Sequence, residues 1–478
     1  MKFSELNFDN HFKKLGKDFF TKARVTPLKD QFVAAYSSQA CQLIDLDEKE
    51  ILKKEFLKFP QDKKSHKRFC NLAMLYGGHQ FGHLVGQLGD GRAMLLAQIK
   101  NKKNESWDLV LKGCGLTPYS RPYVQNADGK SVLRSAIREY LISEAMFNLG
   151  IPTSRALCLI ASSGYAVRET IEPAAQIIRM AQSHIRFGTF EIFFYNKEND
   201  KIKILADYVI AQNFPQLKNN YAGFLREVVK STATMIAKWQ AFGFCHGVMN
   251  TDNMSILGIT FDYGPFGFLD EYNPQHICNH SDHQGRYSFV NQPFVGFWNL
   301  NAFAVTLSSL ISMEEQQEIL SEYEKIFLKE YHDLMAAKLG FSKSDDDIKK
   351  LIYQLLDLLT KNKIDYTNFF RNLSSTLTSL KNLTEDFELW ISSYAALLQS
   401  RNIKETSRKK LMNQSNPKFI LRNYLLQTAI SKACNGDFSE VKKLQKIMEK
   451  PFAEQKSDEK YAALPPAWAK EIVVSCSS

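Results

Sequence analysis

No run of about 18 apolar residues occurs in this 478-residue sequence, so a membrane-spanning helix is not expected. Met1 to Asp30 has no apolar core of the kind a signal peptide needs, and it carries too many acids for a transit peptide. None of the eight cysteines (Cys41, Cys70, Cys114, Cys158, Cys245, Cys278, Cys434, Cys476) forms a CxxC pair, which argues against a structural zinc site and a secreted disulfide framework. The expected compartment is the cytoplasm, with thiols mostly reduced. Basic stretches interleaved with aromatics are also absent, so the formal charge of +10 points to anionic ligands but not to nucleic acid. Lysine-rich surface helices around Lys349-Lys350 and from Lys442 to Lys450 could account for it as easily as a nucleic-acid partner could. There is no repeat and no low-complexity tract. What remains, 44% hydrophobic and 23% charged, is ordinary for a folded protein, and the length allows about two to four domains.

One further absence is chemical. The stretch from Gly243 to Met254, followed by Phe261-Asp262-Tyr263-Gly264, follows the kinase pattern H-[RG]-D-x-x-x-x-N then D-[FYLI]-G. In that pattern the first Asp orients the attacking hydroxyl, and the Asn and the last Asp hold magnesium. His246, Gly247, Asn253 and Asp262 fit, but the base position is Val248, and an aliphatic side chain accepts no proton. The metal ligands look kept while the usual base is gone. An extra carboxylate, Asp252, stands beside Asn253.

Upstream, residues 1–70 read as an irregular lead-in with one charged helix near Leu46 to Leu57. From Tyr76 the sequence turns glycine-rich, with glycines at 77, 78, 82, 86, 89 and 91, a density that lets backbone N–H groups approach an anion. Ala93 to Ile99 and Trp107 to Leu111 read as a hairpin ending in Lys112, the position of a phosphate-contacting lysine. Apolar residues at 133, 137, 141, 145 and 149 predict a helix carrying Glu139, a candidate partner for Lys112. Asp128-Gly129-Lys130 falls in a loop able to reach a nucleotide or to cap that helix. Ala156 to Ala161 and Tyr165 to Arg168 read as a second hairpin turning at Ser162-Ser163-Gly164. Pro173 to Ile185 reads as a helix that puts Arg179 and Arg186 on one face, a pair suited to forking onto phosphates. A long amphipathic helix from Leu225 to Phe242 leads to His246. The His- and Asn-rich loop Glu271 to Gln292 matches no zinc spacing and reads as an activation-loop-like segment. Helices are expected at 300–311, 313–338, 346–360, 366–373, 384–399, 417–430 and 439–450, with an extended tail after Pro465-Pro466.

Several motifs in the same order identify a family. Gly-Gly-His-Gln-Phe-Gly at 77–82, Gln-Leu-Gly-Asp-Gly-Arg at 87–92, Leu-Lys-Gly at 111–113, Thr-Pro-Tyr-Ser-Arg at 117–121, Ser-His-Ile-Arg at 183–186, His-Gly-Val-Met-Asn-Thr-Asp-Asn at 246–253 and the Ser-Cys-Ser-Ser end resemble the selenoprotein O family. Its members are kinase-like proteins that act as protein adenylyltransferases. The resemblance implies an α+β, protein-kinase-like bilobal fold with a helical C-terminal extension. Its parts would be a lead-in (1–70), an N-lobe (71–172), a C-lobe (173–330) and a helical region with a cysteine-containing tail (331–478). It also implies ATP bound flipped relative to kinases and AMP passed to Ser, Thr or Tyr hydroxyls of proteins. By the same resemblance Asp252 accepts the proton, and Asn253 and Asp262 ligate Mg²⁺ (or Mn²⁺). Lys112 (positioned with Glu139), Gly89, Gly91, Arg92, Asp128, Gly129, Arg179 and Arg186 contact ATP. Two departures stand out. A short insertion precedes Asp128-Gly129, and Cys476 takes the position where animal members carry selenocysteine. Cys476 and Cys278 are a candidate redox pair. A conventional phosphotransferase and a silent ATP-binding scaffold are the alternatives, the first weakened by Val248 and the second by the complete Asp252, Asn253 and Asp262 set.

Overall fold

The computed structural model describes residues 1–58, 60, 68–121, 127–375 and 385–475. The N-terminal segment supplies strands β1 (Phe20–Lys22) and β2 (Phe32–Tyr36), then the short helices α1 (Ser38–Leu43) and α2 (Lys54–Lys58). Next come β3 (Leu72–Met74), the small hairpin β4 (Gly78–Gln80) and β5 (His83–Val85), and the long hairpin β6 (Ala93–Lys100) and β7 (Ser106–Lys112). β8 (Ser131–Val132) runs into α3 (Leu133–Asn148), and β9 (Arg155–Val167) and β10 (Ile171–Ala181) complete an antiparallel sheet. Its order is β1-β3-β6-β7-β10-β9-β2, with β8 paired to β10.

Period-two alternation buries both faces of this sheet. On β6, Ala93 and Leu95 face the cluster holding Leu133, Ile137 and Leu141 of α3, whereas Met94 and Leu96 face Phe3, Cys41, Ile44 and Phe56. Residues 1–58 are therefore a cover and two edge strands, not an irregular lead-in. The strands are three and five residues long, too short to show a period, and their hydrogen bonds come from partners far along the chain. The charged helix expected up to Leu57 is a short 3-10 turn (Glu48–Glu50) and α2.

Two other expectations are corrected. Residues 173–185 are not a helix: β10 spans Ile171–Ala181 and pairs on both sides, with β7 and β9. Ala174, Ala175, Gln176 and Met180 favour a helix locally, but two neighbouring strands decide the outcome. Pro173 is tolerated because the register slips between Pro173 and Ala175. β9 also runs straight through Ser162-Ser163-Gly164, so the chain reverses after Val167, where Arg168 N–H donates to Thr170 O (2.9 Å).

The remainder is helical: α4 (Phe187–Tyr195), α5 (Asn199–Asn213) and α6 (Tyr221–Phe242), the two-residue strands β11 (Phe244–Cys245) and β12 (Gly267–Phe268), then α7 (Gln292–Thr306) and α8 (Met313–Lys338). They are followed by α9 (Asp346–Lys361), α10 (Tyr366–Leu373), α11 (Glu385–Ser400), α12 (Glu405–Ser415), α13 (Asn423–Cys434) and α14 (Ser439–Met448). Periodicity does not predict α4, α5 or α12, and α7 starts earlier than expected. α13 and α14 return to pack on α3. Arg138 Nη1 of α3 donates to Asn423 Oδ1 (3.0 Å), and Gln445 Nε2 donates to Tyr36 O (2.8 Å). Among the described residues no helix is long and apolar enough to cross a membrane.

The tie between α3 and β9 is ionic. Buried Glu144 accepts from Arg155 Nε (2.9 Å) and Nη2 (2.6 Å), from Ala156 N–H (3.0 Å) and from Ser37 Oγ (2.5 Å). Glu144→Ala strands a buried guanidinium and is expected to cost about 3–5 kcal/mol. Thermal unfolding checks this; a Tm within a degree of the parent would contradict it.

Candidate active site

Helix α6 ends at Gly243, whose φ of +68° makes it a left-handed C-cap, and β11 carries the chain to His246. The His246 ring stacks on Trp239 (5.3 Å between centroids), and burial pushes its pKa down to about 4, so it is a neutral packing residue. Val248 is buried. A 3-10 turn, Thr251–Asn253, then presents Asp252 and Asn253. Asn253 Nδ2 donates to Val248 O (3.0 Å), which commits its amide nitrogen and leaves the amide oxygen as its ligand atom. Asp262 follows with a φ of +62°, a left-handed conformation uncommon outside glycine.

Three cations converge on the Asp262 carboxylate. Lys112 Nζ, at the end of β7, lies 2.5 Å from Oδ1, Arg179 Nη1 3.4 Å from Oδ1, and Arg186 Nη1 4.0 Å from Oδ2. Glu139 on α3 anchors two of them, with Oε2 2.8 Å from Lys112 Nζ and Oε1 3.1 Å from Arg179 Nη1. The expected Lys112–Glu139 pair is thus formed. Arg179 and Arg186 do converge on one carboxylate, Asp262, but from a strand and from the N-cap of α4 and not from one helix face. Burial alone would raise the Asp262 carboxyl; the three cations override it and hold its pKa well below the ordinary value. Arg186 also lies over the Tyr76 ring (4.3 Å) and donates to Asp252 O (2.7 Å). The Nε atoms of Arg179 and Arg186 are buried without hydrogen-bond partners among the described residues, so both guanidinium groups retain donors for an anion.

Asp252 is in the opposite state. Its carboxylate has no ion pair among the described residues, and its polar contact is Gln80 Nε2, 3.3 Å from Oδ2 and 3.5 Å from Oδ1. Burial pushes its pKa up to about 7, opposed by Arg186 and by Gln80. A carboxyl near neutrality is matched to proton transfer, whereas an ionised one surrounded by cations is matched to charge binding.

Of the remaining predicted residues, Gly89, Gly91 and Gly129 are positions of close approach. Gly129 (φ +69°) packs on the turn after Lys112: a Cβ there would meet Gly115 O at 2.1 Å. Gly113 N–H in turn donates to Arg92 O (2.7 Å). A Cβ on Gly89 would meet the Tyr119 ring at 2.5 Å, and one on Gly91 would meet Tyr119 O at 2.9 Å. Burial lowers the Arg92 pKa, opposed by Asp262 and Glu139. Asp128 does not cap α3, whose N-cap is Val132; its ion pairs run to Arg168 (3.1 Å) and Lys130 (4.0 Å). Of the insertion before it, residues 122–127, all but Ala127 lie outside the described residues. His184, which has no partner legible in the sequence, bonds Asp108 through both its backbone N–H (3.0 Å) and Nδ1 (3.2 Å).

The fit to a divalent cation is favourable. Asp262 is ionised and Asn253 has an amide oxygen to offer, hard oxygen donors of the kind Mg²⁺ takes alongside phosphate oxygens. The loop 271–292 forms no alternative, because no group of His, Cys, Asp and Glu among the described residues gathers as a metal site. Cys278 in that loop is buried, its Sγ donating to Cys245 O (3.4 Å), and burial raises its pKa. His280 N–H donates to Val474 O (2.9 Å), so the tail runs beside this loop. Cys476 lies outside the described residues.

Gln80, His79, Glu191 and Thr251 are absent from the residues read off the sequence. His79 and Gln80 fall within the glycine-rich motif at 77–82 and Thr251 within the motif at 246–253, but no signal in the sequence marks Glu191. Comparison with known proteins adds the family. A sequence model described as protein adenylyltransferase SelO matches residues 2–449. The chain is 46% identical over 487 residues to the protein nucleotidyltransferase YdiU of Thiobacillus denitrificans, covering 99% of each chain. It is 47% identical over 492 residues to that of Herminiimonas arsenicoxydans, covering 99% of this chain and 98% of the relative. With that of Myxococcus xanthus it shares 43% over 487 residues, covering 99% of each.

Proposed function

The chain belongs to the SelO family of protein adenylyltransferases, and from that premise we propose how its residues carry the reaction. It is a protein nucleotidyltransferase that moves AMP from ATP to protein. The acceptors in this reading are Ser, Thr and Tyr hydroxyls. The hydroxyl oxygen bonds to the α phosphorus, the bond to the bridging oxygen breaks, and pyrophosphate leaves. Lys112, Arg179 and Arg186 bind the phosphates, with Glu139 holding Lys112 and Arg179 in place. Asn253 and Asp262 would hold Mg²⁺, or Mn²⁺. When bound, the cation neutralises phosphate charge and orients the leaving group. Asp252 takes the proton from the acceptor. Gly89, Gly91, Arg92, Asp128 and Gly129 line the nucleotide, which lies flipped relative to kinases with its α phosphate toward Asp252.

The fold in this reading is kinase-like and bilobal. Residues 71–172 form the N-lobe, with β10 continuing past residue 172, residues 173–330 form the C-lobe, and residues 331–478 are a helical extension. A reducing cytoplasm suits the seven free thiols among the described residues. A Cys278–Cys476 disulfide would tie the tail to the loop it already borders.

The observation that carries the reading is the contrast between the two carboxylates. Asp262 is ionised among three cations, Asp252 is buried near neutrality, and the kinase base position is the aliphatic Val248. The test is incubation with Mg²⁺ and ATP labelled at the α or the γ phosphate, followed by autoradiography of the protein and a lysate. Label is expected from the α position only. Label from γ would make it a phosphotransferase, and label from neither, with ATP still bound, a scaffold.

A further inference from the structure

The segment of the β4–β5 hairpin is fastened to the catalytic loop, to α4 and to Tyr287. Gly77 N–H donates to Gly188 O (2.9 Å) and His79 N–H to Thr251 Oγ1 (2.7 Å). Phe81 N–H reaches Asn250 Oδ1 (3.2 Å) and the Tyr287 hydroxyl (3.0 Å), and that hydroxyl donates to Asn250 Oδ1 (2.6 Å). The fit is tight: a Cβ on Gly78 would meet Thr251 Oγ1 at 2.7 Å, and one on Gly188 would meet Gly77 O at 2.2 Å.

At the centre sits Glu191 of α4, its side chain 0% exposed. Oε1 is 2.6 Å from His79 Nδ1, and Oε2 accepts the Thr251 hydroxyl. Among the described residues it has no Lys or Arg partner. A buried carboxylate is costly unless its lone pairs are bonded, and here the bonds come from the two segments it joins. The chemistry proposed above makes no use of Glu191, of His79 or of Thr251. What they accomplish together is to bring Gln80 to the Asp252 carboxylate.

We infer that Glu191 is a positioning residue for AMP transfer. It locks the β4–β5 hairpin and Thr251 into one unit, and that unit holds the Gln80 amide on Asp252 so that the carboxylate faces the acceptor hydroxyl. This rests on Asp252 being the proton acceptor. A misplaced base costs turnover while leaving the phosphate grip of Lys112, Arg179 and Arg186 intact.

The test is steady-state kinetics of the full chain with Mg²⁺, α-labelled ATP and dephosphorylated casein as acceptor, beside equilibrium ATP binding. Glu191→Gln, Thr251→Val and Gln80→Met are each expected to lower kcat about 10- to 100-fold while KM for ATP and ATP affinity stay within about twofold. Thr251→Ser, which keeps the hydroxyl, restores most of the rate. Gln80→Met added to Asp252→Asn produces no further loss. Rate and ATP affinity falling in parallel, as in a partly unfolded enzyme, would overturn the inference. Should Glu191→Gln not fold, Gln80→Met, at a half-buried side chain, decides it. If Asp252→Asn keeps its rate, the base assignment falls and the inference with it. If Asp252→Asn is inactive while Thr251→Val and Gln80→Met turn over normally, the inference alone falls.

Discussion

Asp262→Ala is expected to lower AMP transfer by about 10³-fold or more, the scale of losing preorganised charge stabilisation at a transferring phosphorus. The substitution removes a proposed metal ligand, and it also unbalances the protein that remains. Lys112, Arg179 and Arg186 all direct charge at this one carboxylate, and Glu139 alone cannot neutralise them. Asp262→Ala should therefore unfold at a lower temperature than the parent in EDTA, because buried cations left without a counter-charge are costly. Initial rates from α-labelled ATP and a thermal scan measure the two effects. A rate within about tenfold of the parent would remove Asp262 from the reaction.

Asp252→Asn is expected to be just as damaging to turnover and opposite in its effect on stability. Loss of a general base lowers kcat by about 10²- to 10⁴-fold, and ATP affinity is retained because the phosphate-binding cations are untouched. Burial holds the Asp252 carboxyl at about 7 against an ordinary value of 3.8, so the folded state favours the protonated form. Ionised Asp252 is thus a stability penalty that is absent below the ordinary value, grows as pH rises between the two values and is complete above the folded one. Asn carries no such penalty. In EDTA at pH 8 the Asn variant should melt at or above the parent temperature, and the difference should shrink toward pH 5. A lower Tm at pH 8 would mean that the carboxylate is stabilised by the fold and not merely tolerated there.

What the sequence revealed and what it hid follow one physical distinction. Lys112 at a strand end, Glu139 on a period-four helix and the Asp262 motif are features of short segments, so they are legible without knowing what those segments touch. Arg179 reaches Asp262 and Glu139 by an unpredicted route. Its segment has helix-favouring residues, and only pairing with β7 and β9 makes it a strand. The short edge strands β1 and β2 are hidden for the same reason. Glu191 is the extreme case, since nothing around it in sequence marks it as special. Its partners His79 and Thr251 are 112 and 60 residues away, and only the folded chain assembles them. The glycines at 77 and 78 carry a signal of close approach, but not of what they approach.

The grip of α13 and α14 on α3 has a consequence for biosynthesis. Tyr36, on an edge strand of the sheet, is bonded to Gln445, 409 residues later, and Asn423 holds the α3 helix that carries Glu139. Chain segments emerge from the ribosome in order, and contacts of such long range form late. The Lys112–Glu139–Asp262 cluster thus gains its full support only after residues 423–448 have been translated. A nascent chain already displaying the whole catalytic loop still lacks the α13 and α14 brace behind α3, the helix that carries Glu139.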